Sequence, residues 1–210
     1  MIPAGKLKSN MEFNRNLGDL IEVMKLAATT QFNQFRLREE PEADFIRQLD
    51  QVFGVLLSSG ISSDLLTPKE SLPALILLVS SDEGFLGELN FLLVNKLMDM
   101  KRPQDSVVCV GEQGARYLRE IKINFSFFDS PGERIDSEKI GKIRDYIFKQ
   151  YLSRSVGKVY VVYSRFINIT SQQTELEALL PLSQGASFTG KPLRNLLIEP
   201  DEQSIIEGWI

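Results

Sequence analysis

The sequence contains no histidine in 210 residues. Without imidazole the chain cannot build a Ser-His-Asp or Cys-His nucleophile, a His-ligated zinc site or a His general base. Carboxylate or lysine chemistry is the only enzymatic route left. Cysteine is nearly absent too: Cys109 stands alone in the apolar run "SVVCVG". That excludes an internal disulfide and a cysteine-cluster metal site, and it reads as a buried strand residue in a reducing compartment. There is no apolar stretch of about 18 residues and no charged-then-apolar leader, so neither a spanning helix nor a secretory signal is visible. Positive charge is not in excess. The net charge of -4 gives no overall basic field, which makes nucleic acid an unexpected partner.

Proline is missing from Ile2's neighbour Pro3 up to Pro41, and in that interval apolar residues recur at Leu17, Leu20, Ile21, Met24, Ala27, Ala28, Phe32 and Phe35. Spacings of three and four make one stripe on a helix. Run from Lys6 to Arg38, that helix is on the order of 45 Å long, more than a small domain needs. A stripe this long calls for another long helix beside it, as in a coiled coil. "EEPEADFIRQLDQVFGVLLSSG" continues the helical spacing, with a kink or a fresh first turn expected at Pro41 and a stop at Gly60.

Beyond residue 72 the period changes. "ALILLVSS" (74–81) is a short continuous apolar run, the kind of strand covered on both faces. A helix follows over Leu86 to Met98, then the strand "SVVCVG", a short helix near "EQGARYLREI", the extended "INFSFF", a helix over "DSEKIGKIRDYIFKQYL" and the strand "KVYVVYSRF". This alternation predicts a mainly parallel, Rossmann-like α/β domain over 72–200, following a long helix over 1–60. "TSQQTELEALLPL" is expected to form a strand ending at Pro181, "SQGASFTGKP" a loop, and "LRNLLIEP" a last strand. "DEQSIIEGWI" (201–210) has acids first and apolar residues behind them, which is how a helix begins.

Two stretches imitate phosphate-binding loops. "LVSSDEGFLGELN" has strand, turn and helix in the right order, yet Gly84 and Gly87 alone do not make G-x-G-x-x-G. Asp82, Glu83 and Glu88 would repel an anion held at the helix start. "GASFTGK" (185–191) has the spacing of a phosphate loop but is followed by Pro192, where a Ser or Thr hydroxyl and a first helical turn are required. Paired carboxylates such as Glu175 and Glu177, or Glu39, Glu40 and Glu42, could serve acid–base chemistry but sit in polar runs typical of solvated faces.

Several stretches together resemble one family. "LLVSSDEGFLGELN" is similar to the gamma-subunit pattern S-D-R-G-L-C-G-x-L-N of rotary F-type ATP synthases, matching at Ser81, Asp82, Gly84, Gly87 and Asn90, with Glu83 for the arginine and Leu86 for the cysteine. "VMKLAATTQFNQF" resembles the amino-terminal pattern K-A-M-x-M-V-A-A-S-K, keeping Met24, Ala27 and Ala28. "VVYSRFINITSQQTELEALLPL" is similar to V-x-N-K-F-x-N-x-x-S-Q followed by L-L-P-L, keeping Phe166, Asn168, Ser171, Gln172 and Leu179 to Leu182. "IEPDEQSII" matches Y-E-P-D-P at Glu199, Pro200 and Asp201, and "VGEQGARYL" falls where the family has a G-x-K-G turn.

The resemblance implies a rotor shaft with no catalytic residue, cofactor or metal of its own. In the family an amino-terminal and a carboxy-terminal helix form an antiparallel coiled coil inside the alpha and beta subunits, and the α/β domain rests on the membrane c-ring beside epsilon. Carried over, Leu20, Ile21, Met24, Lys25, Ala28, Phe32 and Phe35 become the contact with the hexamer. Arg38, Glu42, Glu199 and Asp201 fall in the foot toward the ring and epsilon. The glycine turn becomes a fold-building turn. The expected place is peripheral, on the cytoplasmic face of a bacterial membrane, with an organellar inner membrane as the alternative. Glu22 and Gln31 replace residues that are basic in the family, which suggests a divergent, alternative or N-type branch. Residues 201–210 would start a second shaft helix, so the sequence is expected to be a piece of a longer chain. A nucleotide-dependent α/β enzyme and a helical adaptor remain as other readings of the same residues.

Overall fold

The computed structural model describes residues 4–58, 65, 69, 71–84, 86–132, 135–168 and 171–182, with side chains of the first helix described as far as residue 34. The expected strand at "LRNLLIEP", the loop at "GASFTGK" and the helix at "DEQSIIEGWI" lie outside these residues. Helix α1 falls in one compact unit, and everything from Leu65 to Leu182 falls in another.

α1 spans Ala4–Ser58 as one helix of 55 residues. At 1.5 Å per residue it is about 80 Å long, nearly twice the extent the stripe alone predicted. Helix is the favoured state for its many Leu, Ala, Met, Glu, Gln, Lys and Arg residues. Thr29 and Thr30 direct their hydroxyls back to the carbonyls of Lys25 and Leu26, at 2.8 and 2.9 Å. Those bonds satisfy the hydroxyls without leaving the helix. The helix continues unbroken past Pro41. Proline has no N–H to give the carbonyl of Leu37, so one rung is lost while the turns on either side hold.

The second unit is a five-stranded sheet in the order β3-β2-β1-β4-β5. β1 (Ala74–Val79), β2 (Ser106–Val110), β3 (Ser126–Phe128) and β4 (Lys158–Asn168) run parallel, and β5 (Ser171–Leu180) returns antiparallel beside β4. α2 (Leu89–Met100), α3 (Glu112–Glu120) and α4 (Ser137–Leu152) connect them. The 3-2-1-4 order is that of half a dinucleotide-binding fold, with its switch point between β1 and β4.

Side-chain alternation divides the core into two layers. Ile76, Leu78, Val107, Cys109 and Val162 face α2 and α3, where Leu93, Val94, Leu97, Ala115 and Leu118 close the layer. On the other face Ser126 and Phe128 meet Tyr146 of α4, the hydroxyls 3.0 Å apart and the rings 5.3 Å. α4 starts where Asp136 accepts from the N–H of Glu138 and of Lys139, a capping arrangement that satisfies donors left free by the first turn. Asp105, nearly fully buried, binds the N–H of Ala74 and of Arg102 at 2.8 Å and ties the β1 and β2 entries together.

Candidate functional site

Two features carry the residues singled out by sequence: the turns at the carboxyl ends of β1 and β2, and the surface of α1.

At the strand ends the helix α3 begins with its first N–H groups pointing toward the turn that follows β1. In a nucleotide-binding protein these donors receive a phosphate. Here the chain fills them itself. Asp82 accepts from the Glu112 N–H at 3.3 Å, the Ser81 carbonyl from the Gln113 N–H at 3.0 Å, and the Ser80 hydroxyl oxygen from the Gly114 N–H at 3.0 Å. Gln113 also donates its side-chain amide to the Asp82 carbonyl at 3.1 Å. Asp82, expected to oppose an anion at the start of α2, serves instead as an acceptor at the start of the next helix, α3.

Ser80 is the wedge of this clasp. Its N–H donates to the Val110 carbonyl at 2.9 Å, and its hydroxyl lies 2.8 Å from the same oxygen and 3.1 Å from the Gly111 carbonyl. Two glycines make room for it. Gly111 holds φ at +96°, and a Cβ there would overlap the Ser80 carbonyl, while a Cβ on Gly114 would overlap the Ser80 hydroxyl. Both positions exclude any larger residue, one by conformation and contact, the other by contact.

Asn90 completes the turn from the side of α2. It is 5% exposed; its carbonyl oxygen accepts from the Ser81 N–H at 3.2 Å, and its amide donates to the Ser81 hydroxyl at 2.9 Å. The Ser81 hydroxyl in turn lies 2.7 Å from the Glu83 carbonyl. Of the five motif residues expected together, Ser81, Asp82 and Asn90 make this hydrogen-bonded turn. Gly87 supplies a positive φ of +58°, and Gly84 stands in open space. Gln172 belongs to the β4–β5 pair instead, where it accepts from the Ser164 hydroxyl at 3.1 Å.

Ser80, Gly111 and Gly114 were missed as a set. The sequence signal was a serine directly after the first apolar strand, opposite a glycine pair spaced by three after the second. Behind the clasp Cys109 is fully buried, and burial pushes its thiol up to about 11. Such a thiol is a packing residue and a poor nucleophile. Among the described residues no group of three or more His, Cys, Asp or Glu side chains could hold a metal. Glu175 and Glu177 bind Arg165, at 3.7 and 2.5 Å, and Tyr163 donates to Glu177 at 2.8 Å, so this carboxylate pair is engaged in an exposed ion network.

The α1 surface is the opposite case. Leu20, Ile21 and Met24 are 55–59% exposed, and Lys25 and Ala28 are exposed beside them, whereas Phe32 is partly buried. The side chains of Phe35, Arg38 and Glu42, and residues Glu199 and Asp201, lie outside the described set. Val23 and Leu26 are 65% and 70% exposed and fall across the helix from Leu17 and Met24, since successive residues turn by about 100°. α1 is therefore apolar on more than the single stripe. A helix apolar on several sides is normally enclosed by other protein. None of its described segments is long and apolar enough to cross a membrane; the same holds for the other described helices.

Known proteins resemble this chain over most of its length. A family model described as ATP synthase matches residues 5–210. The ATP synthase gamma chain of Xanthomonas oryzae pv. oryzae (strain PXO99A) is 23% identical over 212 residues, covering 96% of this chain and 74% of that one. That of Clostridium perfringens (strain SM101 / Type A) is 26% identical, covering 98% and 74%. In fold, the central stalk/c-ring structure of the Tetrahymena thermophila mitochondrial ATP synthase aligns with a TM-score of 0.51 at 17% identity, over 77% of this chain and 71% of that one. The match runs through helix and sheet alike: the chain belongs to the ATP synthase gamma-chain family.

Proposed function

We propose that this chain is the rotor subunit of an F-type ATP synthase, itself non-catalytic, which couples ion flow through a membrane c-ring to ATP synthesis or hydrolysis in a hexamer of alpha and beta subunits. The single observation that carries the proposal is the family match over 5–210. Helix α1 supports it: a shaft about 80 Å long with apolar residues on several faces suits rotation inside an apolar sleeve. On this reading Leu20, Ile21, Met24, Lys25, Ala28, Phe32 and Phe35 meet the hexamer. Arg38, Glu42, Glu199 and Asp201 face the c-ring and epsilon, and the chain sits peripherally at the cytoplasmic face of the membrane. The turn holding Ser81, Asp82, Gly84, Gly87 and Asn90 is read as structural: Asp82 and the Ser81 carbonyl accept from the first N–H groups of α3, and Asn90 ties Ser81 to α2.

Native mass spectrometry of the complex pulled from its own membranes on an amino-terminal tag tests this. An assembly of three alpha and three beta chains around one copy of this subunit is expected. Recovery without alpha and beta would overturn the proposal.

A further inference from the structure

The chain has a net charge of -4, yet within the α/β unit the charges are sorted by end. At the carboxyl end of the strands, where α2, α3 and α4 begin, Glu83, Glu88, Glu112, Asp129 and Glu138 are exposed. The cations near them, Lys139, Lys142 and Arg165, are held by the Ser130 carbonyl, by Glu138 and by the Glu175 and Glu177 pair. At the amino end, where the same helices finish, the exposed acids among the described residues are Asp99 and Glu120, while Asp105 is buried on backbone N–H groups. There α2 runs out into Lys101 and Arg102, α3 into Lys122 and α4 into Arg154. These turns lie in a row because the strands they feed, β3, β2 and β4, are set around β1, and the Gly157 N–H ahead of β4 donates to the Pro73 carbonyl ahead of β1 at 2.8 Å. At about 4.8 Å per strand the row is on the order of 15 Å wide.

The ends of α3 and α4 are built alike. Lys122 and Arg154 both hold φ at +59°, the left-handed conformation in which a helix normally ends on glycine. The Lys122 N–H donates to the Arg119 carbonyl at 3.1 Å and the Ile123 N–H to the Leu118 carbonyl at 3.0 Å. In α4 the Arg154 N–H donates to the Tyr151 carbonyl and the Ser155 N–H to the Gln150 carbonyl, each at 3.1 Å. Glycine would make the same bonds without the left-handed strain. The helix dipole favours a cation in the last turn, and Arg119 and Lys149 already stand there. The fold alone therefore does not call for a long cation in the strained position. Each helix end also exposes an apolar side chain just before its base: Met98 at 38%, Ile121 at 46% and Leu152 at 45%. An acidic protein surface would answer the cations only. A lipid surface answers both, its phosphates meeting the bases and its acyl boundary taking the apolar groups.

We propose that the amino end of the sheet, through Lys101, Arg102 and Lys122 with Met98, Ile121 and Leu152 beside them, is a docking surface for an anionic phospholipid membrane. The inference concerns the α/β unit alone and stands whether or not the chain is a rotor.

The test mixes the whole chain with vesicles of phosphatidylcholine alone or of phosphatidylcholine and phosphatidylglycerol in equal parts, and reads bound protein by co-sedimentation over a range of salt. Binding to the anionic vesicles that weakens as salt rises is expected, with little on the neutral ones. Arg102→Gln and Lys122→Gly should each weaken it about fivefold, the effect of one basic residue near an anionic surface, and Lys101→Gln, Arg102→Gln and Lys122→Gly combined about a hundredfold. Lys122→Gly separates docking from a structural role: it relieves left-handed strain, so its melting temperature should hold or rise while its binding falls. In a Cys109→Ala background, an environment-sensitive dye on Gln104→Cys, at the amino end, should shift to the blue on anionic vesicles. The same dye on Ser137→Cys, at the start of α4, should not. Undiminished binding by the combined variant, or a shift at Ser137→Cys without one at Gln104→Cys, would overturn the proposal and put lipid contact elsewhere on the chain. So would an unaltered chain that ignores both kinds of vesicle, and loss of a protein subunit by the combined variant would then assign the cations to an acidic protein.

Discussion

The clasp between β1 and α3 and the surface of α1 use polar and apolar groups in opposite ways. In the clasp, each helix-start donor named above ends on an acceptor from the same chain, and two glycines leave no space for anything else. Along α1, Leu20, Ile21, Val23, Met24 and Leu26 remain more than half exposed. A site that satisfies itself needs no ligand; a helix that leaves its apolar residues in water asks for one. The difference teaches what each feature can do: on the rotor reading proposed above α1 offers its apolar surface to partners, while the Ser80 and Asp82 acceptors are used within the fold.

The largest way to break the contrast is at Gly111. Gly111→Ala forces a side chain to φ +96° and against the Ser80 carbonyl. Left-handed strain of roughly 1–2 kcal/mol adds to overpacking of roughly 1–3 kcal/mol. A drop in melting temperature of about 5 °C or more is expected, with Gly84→Ala, in open space, close to neutral. If both variants melt together, the turns are not the closed unit described.

Ser80→Ala comes next. It removes the acceptor of the Gly114 N–H and the hydroxyl bound to the Val110 and Gly111 carbonyls. Leaving a part-buried donor unmet costs about 1–3 kcal/mol, read from denaturant midpoints at constant slope. The same variant tests the anion argument: with the clasp opened only at Ser80, Asp82 still holds the Glu112 N–H, so added phosphate or nucleotide should not raise the melting temperature.

Cys109 gives a smaller, pH-dependent signal from the same clasp. Burial raises its thiol from 9.0 to about 11 in the folded chain. A raised acid favours folding while both states are protonated, below 9, and that contribution disappears as pH rises from 9 to about 11, where only the unfolded chain ionises freely. Stability should therefore fall across this window more steeply for the natural chain than for Cys109→Ala. Iodoacetamide at pH 8 should label Cys109 slowly until denaturant is added.

Much of this was legible beforehand. "ALILLVSS" and "SVVCVG" are continuous apolar runs because parallel strands are covered on both sides, and they became β1 and β2 with Leu75, Ile76, Leu78 and Cys109 at 0% exposure. The long helix was expected over 1–60 and α1 spans Ala4–Ser58; what was not legible is that it passes Pro41 without a fresh start, because the cost of one lost rung is outweighed by the helical turns on either side. The clasp was half legible. Asp82 beside two glycines could be read as hostile to a phosphate at the start of α2, but not as an acceptor for α3, since its partner N–H of Glu112 is 30 residues away in sequence. Ser80 was invisible for the same reason: its three partners all lie on the next βα turn, and hydrogen bonds between turns leave no periodic trace.

The smallest expected effect on the fold sharpens the comparison most. Met24 is 59% exposed on α1, so Met24→Glu removes little buried area and keeps a good helix former. Stability should change by no more than about 0.5 kcal/mol, below the effect at Gly111 or Ser80. On the rotor reading proposed above, the same charge would enter an apolar contact with the hexamer in the reconstituted complex, and an unpaired charge desolvated at an interface weakens binding by tenfold or more, about 1.4 kcal/mol or above. Met24→Leu should behave as the natural residue, since it preserves the apolar surface at nearly constant volume. Sedimentation of the tagged subunit with alpha and beta separates the two quantities. An α1 whose Met24→Glu variant still binds as tightly as the natural chain has its apolar side elsewhere than in the hexamer. A variant that folds normally and fails to bind places the function of the chain on the surface its own fold leaves open.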